Sequence, residues 1–154
     1  MYFILLSLHS FVRWLVLISL CYAIIRAYKG YRYATPFTKT DNAVRHWTAT
    51  IAHLQLMIGI VLYTQSPLIQ VFFSRSTHEN KSSESLFFTI IHLAIMVIAI
   101  IVITIGSALA KRKRSDQQKF TTLLFWFGMA LLLIFLAIPW PFSPFAHRPY
   151  FRPF

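Results

Sequence analysis

Acidic side chains are nearly missing from this chain: Asp41, Glu79, Glu84 and Asp116 are the only four in 154 residues, and none falls inside its long apolar segments. That excludes carboxylate acid/base catalysis within those segments, together with the acidic relays of proton-coupled transporters. Cysteine occurs once, at Cys21, so no intramolecular disulfide and no paired-cysteine metal or redox motif can form. Hydrolase triads, glycine loops that cradle phosphate and a His-Glu-x-x-His zinc helix are absent too. Charge of either sign makes up 12% of the chain, against roughly 25% in soluble domains.

What fills the chain instead is apolar surface, 57% hydrophobic and 17% aromatic residues. The pattern predicts an all-α integral membrane protein, a four-helix bundle forming one domain over residues 1–154. Its spans are expected at about 2–25, 44–64, 86–109 and 120–138, each close to the roughly 20 residues a bilayer requires. Met1 to Ile25 has neither the basic start nor the small-residue cleavage site of a signal peptide, so it is expected to stay as the first span.

A net charge of +11 would point to nucleic acid in a soluble protein. Here ten of the fifteen basic residues fall in two segments between spans: Arg26, Lys29, Arg32, Lys39 and Arg45, then Lys111 to Arg114 with Lys119. They read as topology signals, with lipid rather than nucleic acid as the partner. Both segments are expected in the cytoplasm and both termini outside. Thr40, Asp41 or Asn42 is expected to open the second helix. The patch Leu68 to Phe73 is expected to lie along the membrane surface. Pro139-Trp140-Pro141-Phe142 ends the fourth span, and the proline- and aromatic-rich tail to Phe154 is expected to be extended at the outer interface.

Histidine is the remaining polar chemistry at depth. His9 and Arg13 share one helical face, four residues apart in the first span, and ionisable groups at membrane depth usually face a bundle interior or a cofactor. The alternative is that Arg13 snorkels to the headgroups beside Trp14, with His9 bonded to a neighbouring helix. The first and third spans run in the same direction, and His9 and His92 lie at similar depths, roughly 9 to 12 Å below the outer surface at about 1.5 Å per residue. They can therefore ligate the two faces of one haem. Arg13, one turn deeper, can neutralise a haem propionate or hold an anionic ligand.

His53 sits on the other side of the midplane. It can serve a second cofactor, with Met129 as a weak axial partner, or a quinone headgroup, or it can be a buried histidine bonded to Thr50 or a backbone carbonyl. Met57 and Met96 are assigned to packing.

The strings Leu8-His9-Ser10 with Arg13-Trp14, Ala52-His53-Leu54-Gln55-Leu56, Ile98 to Gly106 and Ala137-Ile138-Pro139-Trp140-Pro141-Phe142 resemble a family of small bacterial four-helix membrane proteins labelled cytochrome b-like. The resemblance covers nearly the whole chain. It implies haem b and electron transfer in the bacterial cytoplasmic membrane. Larger diheme cytochromes b need two matched histidine pairs, and this chain offers one.

The sequence thus leads to a b-type haem protein carrying electrons between the quinol pool and a partner, as an electron-transfer component rather than a stand-alone enzyme. Its rivals are a cofactor-free assembly or stabilising subunit among other membrane subunits, and a transition-metal protein using His9, His53 and His92.

Overall fold

Helix dominates because every backbone N–H and C=O in an apolar solvent must be satisfied within its own segment. The computed structural model describes residues 1–74 and 83–140. Along the chain these are α1 (Tyr2–Arg32), α2 (Lys39–Gln65), α3 (Pro67–Ser74), α4 (Ser83–Leu86), a π-helical turn (Phe87–Ile91), α5 (His92–Arg112) and α6 (Asp116–Ala137). α4, the π-turn and α5 form one rod. Among the described residues the structure is all-α, and four of its helices are long and apolar enough to cross a membrane. The expected tail beyond Trp140 lies outside the described residues.

The helices outlast the apolar stretches that reveal them. α1 continues through Arg26 and Lys29 to Arg32, and α2 begins at Lys39, ahead of the expected Val44. The start of α2 is set by Thr38 and not by any of Thr40, Asp41 or Asn42: the Thr38 hydroxyl accepts from Asp41 N–H at 3.2 Å, and the Asp41 carboxylate accepts from Thr38 N–H at 2.9 Å. This capping box satisfies two N-terminal donors at once. Asp41 also accepts from Arg26 Nε at 2.8 Å, which ties α1 to α2 across their connection. α6 opens on Ser115, whose hydroxyl accepts from Gln118 N–H. The Leu68–Phe73 patch does fold as a short helix, α3, with Val71 and Phe73 exposed.

The four long helices form a ring in which α1 packs on α2 and α6, and α5 packs on α2 and α6. Small residues line the seams, including Ala23, Ala27, Ala49, Ala52, Ala99, Ala110 and Ala130, all buried. Between apolar helices in lipid the attraction is mainly van der Waals contact, so close approach takes the place of hydrophobic burial. Gly106 shows it at a stem atom: a Cβ there would lie 2.3 Å from Trp126 Cβ, so α5 and α6 meet at the distance that only glycine permits. Phe87, Phe120, Phe127, Leu20 and Ile103 fill the interior. The outer surface carries Phe11, Ile18, Ile98, Ile101, Phe125 and Leu132, all exposed, which water would not tolerate on this scale.

Candidate functional site

At the end of the bundle opposite the basic loops, three polar side chains from two helices come together. His9 and Arg13 project from one face of α1. His92, the first residue of α5, comes directly after the π-turn, and its backbone N–H reaches back to Phe87 O. A π-turn inserts one extra residue and so rotates the helix beyond it; such turns recur at functional sites. Both His92 and Arg13 lie near His9, and Arg13 lies near His92 as well. Arg13 also stacks over Trp14, 5.6 Å from the ring centroid, and reaches Ser10 Oγ at 3.5 Å.

The surroundings fix each ring. His92 Nδ1 lies 2.8 Å from Ala137 O, at the last residue of α6. Carbonyls at a helix C-terminus lack an intrahelical donor. A carbonyl can only accept, so Nδ1 carries the proton and Nε2 keeps its lone pair. A carbonyl bonded in this way fixes both the orientation and the tautomer of an imidazole. His9 rests on α2 at Gly59, where a Cβ would stand 3.2 Å from His9 Cε1. One turn earlier, Gln55 Nε2 donates to the His9 carbonyl at 2.9 Å. One turn later, the Tyr63 hydroxyl donates to Thr89 O in the π-turn at 3.2 Å. Trp140 closes this end, edge-on to Trp14 with centroids 6.2 Å apart, its indole N–H donating to Phe135 O at 2.9 Å.

Buried polar atoms without a hydrogen-bond partner in this region include His9 Nδ1, Gln55 Oε1 and Thr89 Oγ1. Each such atom costs about 1–3 kcal/mol if left unsatisfied.

His53 stands apart. It is exposed on the α2–α5 side, with Nδ1 2.7 Å from Ala49 O and Nε2 3.1 Å from Thr104 Oγ1. The Ala49 carbonyl can only accept, so Nδ1 carries the proton of a neutral His53, while the Thr104 hydroxyl beside Nε2 donates to Ile100 O at 2.7 Å. The carbonyl is that of Ala49; Thr50 instead donates to His46 O. Met129 is exposed on α6, Met57 is exposed on α2, and Met96 packs against the core. Among the described residues no three metal-ligating side chains converge, so His9, His53 and His92 are not assembled around one ion.

Gln55, Gly59, Tyr63 and Thr89 have no role assigned from the sequence alone. The first three recur every four residues along α2, which places them on one helical face. A lone glutamine in an apolar span carries the same signal as a lone histidine.

No protein-family model, curated protein or solved structure matches this chain.

Proposed function

We propose that the chain is a multi-pass membrane protein that holds one b-type haem between His9 and His92 and passes electrons between the quinol pool and a partner. The observation that carries this reading is the pairing of His92, whose Nδ1 is tied to Ala137 O, with His9, whose Nδ1 is buried and unpartnered above Gly59. The donor set fits a haem iron: two neutral imidazoles from different helices, a glycine that leaves room at one ring, and a cation nearby. A haem bound here would supply one-electron redox chemistry, which the protein would tune through its ligands, the hydrogen bonds to them and burial.

The residues of the chain then have distinct tasks. His92, held in one tautomer by Ala137 O, would be a pre-oriented ligand whose basicity the carbonyl raises. His9 would be the second ligand, its helix pinned to α2 by Gln55. Arg13 offers a charge-assisted partner for a carboxylate of the cofactor. Trp14 and Trp140 cover the end of the site and limit the access of water.

In this reading the basic segments around Arg26–Arg45 and Lys111–Lys119 face the cytoplasm and both termini lie outside, in the bacterial cytoplasmic membrane. The test is the reduced-minus-oxidised absorption spectrum of the protein purified after expression with ample haem. A low-spin b-type spectrum at about one haem per chain is expected. A colourless protein would defeat the proposal and favour an assembly subunit.

A further inference from the structure

At the opposite end of the bundle a cleft of about 280 Å³ opens where α2, α5 and α6 meet, with Lys39, Lys111 and Lys119 on its walls beside Phe37, Thr38 and Asn42. The lysines come from the first turn of α2, the last turn of α5 and the first turn of α6. Like charges gathered around one cleft repel one another. One carboxylate offsets them, Asp116, which pairs with Lys119 at 2.9 Å. Lys119 Nζ also lies 5.3 Å from the Phe37 ring centroid, which fixes the ammonium at the cleft wall.

Behind the cleft lies a buried cation. Arg45 is buried, 7% exposed, yet its guanidinium meets only neutral acceptors: Asn42 Oδ1 from Nε at 3.2 Å and from Nη2 at 2.9 Å, and the Ser107 carbonyl and hydroxyl from Nη1. Among the described residues no carboxylate pairs with it. The nearest acid in sequence, Asp41, is committed to Arg26 and Thr38. A buried cation without a counter-ion is costly, and Asn42, which holds Arg45, also lines the cleft. The N-terminus of α2 adds its own positive end.

The geometry points to a phosphate-binding site in this cleft, with Lys39, Lys111 and Lys119 as direct partners and Arg45, through Asn42, as the buried charge behind them. The phosphate belongs either to an acidic phospholipid headgroup or to free inorganic phosphate, and both present the same anionic oxygens to the lysines. Basic pockets between helices are a known way of holding anionic headgroups. The site is separate from the histidine end of the bundle and does not depend on haem.

The experiment titrates the purified full chain in detergent with short-chain phosphatidylglycerol, with phosphatidylcholine of the same chain length, and with inorganic phosphate, and reads occupancy by native mass spectrometry. The variant Lys39→Gln/Lys111→Gln/Lys119→Gln is compared with Arg112→Gln/Lys113→Gln/Arg114→Gln, which removes the same charge beside the cleft but not on its walls. Phosphatidylglycerol is expected to bind in preference to phosphatidylcholine. The cleft variant should lose about tenfold or more in affinity, each lysine near the anion being worth roughly a fivefold change; the control should lose far less. If inorganic phosphate competes and is lost in the same variant, free phosphate occupies the site; if it does not compete, the headgroup does. Should the triple variant fail to fold by circular dichroism, Lys111→Glu alone must reproduce the loss. No binding of either anion, or equal losses in the two triple variants, overturns the site.

Discussion

Replacing Gly106 by alanine tests how the bundle is held together. The added Cβ would stand 2.3 Å from Trp126 Cβ, 2.9 Å from Cγ and 3.6 Å from Cα. Non-bonded carbons settle at about 3.5–4.0 Å, so the closest pair is short by roughly 1.5 Å. Cβ is the stem of the tryptophan and cannot rotate away, which leaves separation of α5 from α6 as the remedy. A gap of 0.5–1 Å already forfeits about a quarter to a half of each contact in the seam. The seam includes Ala99, Ile103, Ala110, Leu123, Phe127 and Ala130, all buried. Overpacking costs typically about 1–3 kcal/mol and occasionally more; with the clash at a stem atom, about 3 kcal/mol is expected here. The structure supplies its own control in Gly128, where a Cβ meets nothing within 4 Å. Gly128→Ala should be neutral, or stabilising by about 0.5–1 kcal/mol through helix propensity. Detergent-solubilised variants followed by circular dichroism during heating should show Gly106→Ala melting well below the parent and Gly128→Ala at or above it. Equal melting of the two would refute the argument that close approach of α5 and α6 holds the bundle.

Other expectations concern individual contacts. Gly59→Val should displace the His9 ring and lower haem occupancy more than Gly128→Val does, as read by haem-to-protein absorbance ratio, because the added Cβ alone comes within 3.2 Å of His9 Cε1. Asp41→Ala removes both the capping box and the Arg26 pair, and should destabilise by about 1 kcal/mol in a denaturant titration, with the cap as the main loss. Arg13→Leu should weaken haem retention or shift its potential more than Arg13→Lys does; identical behaviour of both variants and the parent would leave Arg13 a packing residue. In a Cys21→Ser background, cysteines at Lys113 and Ser74 should react with an impermeant thiol reagent from opposite sides of the membrane, and labelling of both from one side would overturn the topology.

The helices were legible in the sequence because hydropathy reports the solvent each segment can accept. Their ends were less so, since hydropathy marks where the apolar stretch stops while a helix stops at its caps. Thus α1 runs on to Arg32, and α2 starts at the Thr38 capping box, several residues before its apolar run. At the candidate site, the shared face of His9 and Arg13 comes from a spacing of four, and the placement of His92 near them comes from counting residues in two parallel spans. The π-turn at Phe87–Ile91 could not be read, because no residue in Phe-Phe-Thr-Ile-Ile demands it. Nor could the bonds from Gln55 to His9 O and from His92 to Ala137 O, which depend on how each helix is rotated against its neighbour. The pairing of His53 with Thr104 is of the same kind: two helices must be in register before either residue reveals its partner.

The proposed ligation of one haem by both His9 and His92 is tested most directly by electron paramagnetic resonance of the oxidised protein. The parent should give a low-spin bis-imidazole signal. His9→Ala and His92→Ala should each convert it to a high-spin signal or remove it, since either change empties one axial position, while His53→Ala should keep the low-spin signal. Loss of the signal in His53→Ala with its retention in His9→Ala would contradict the account.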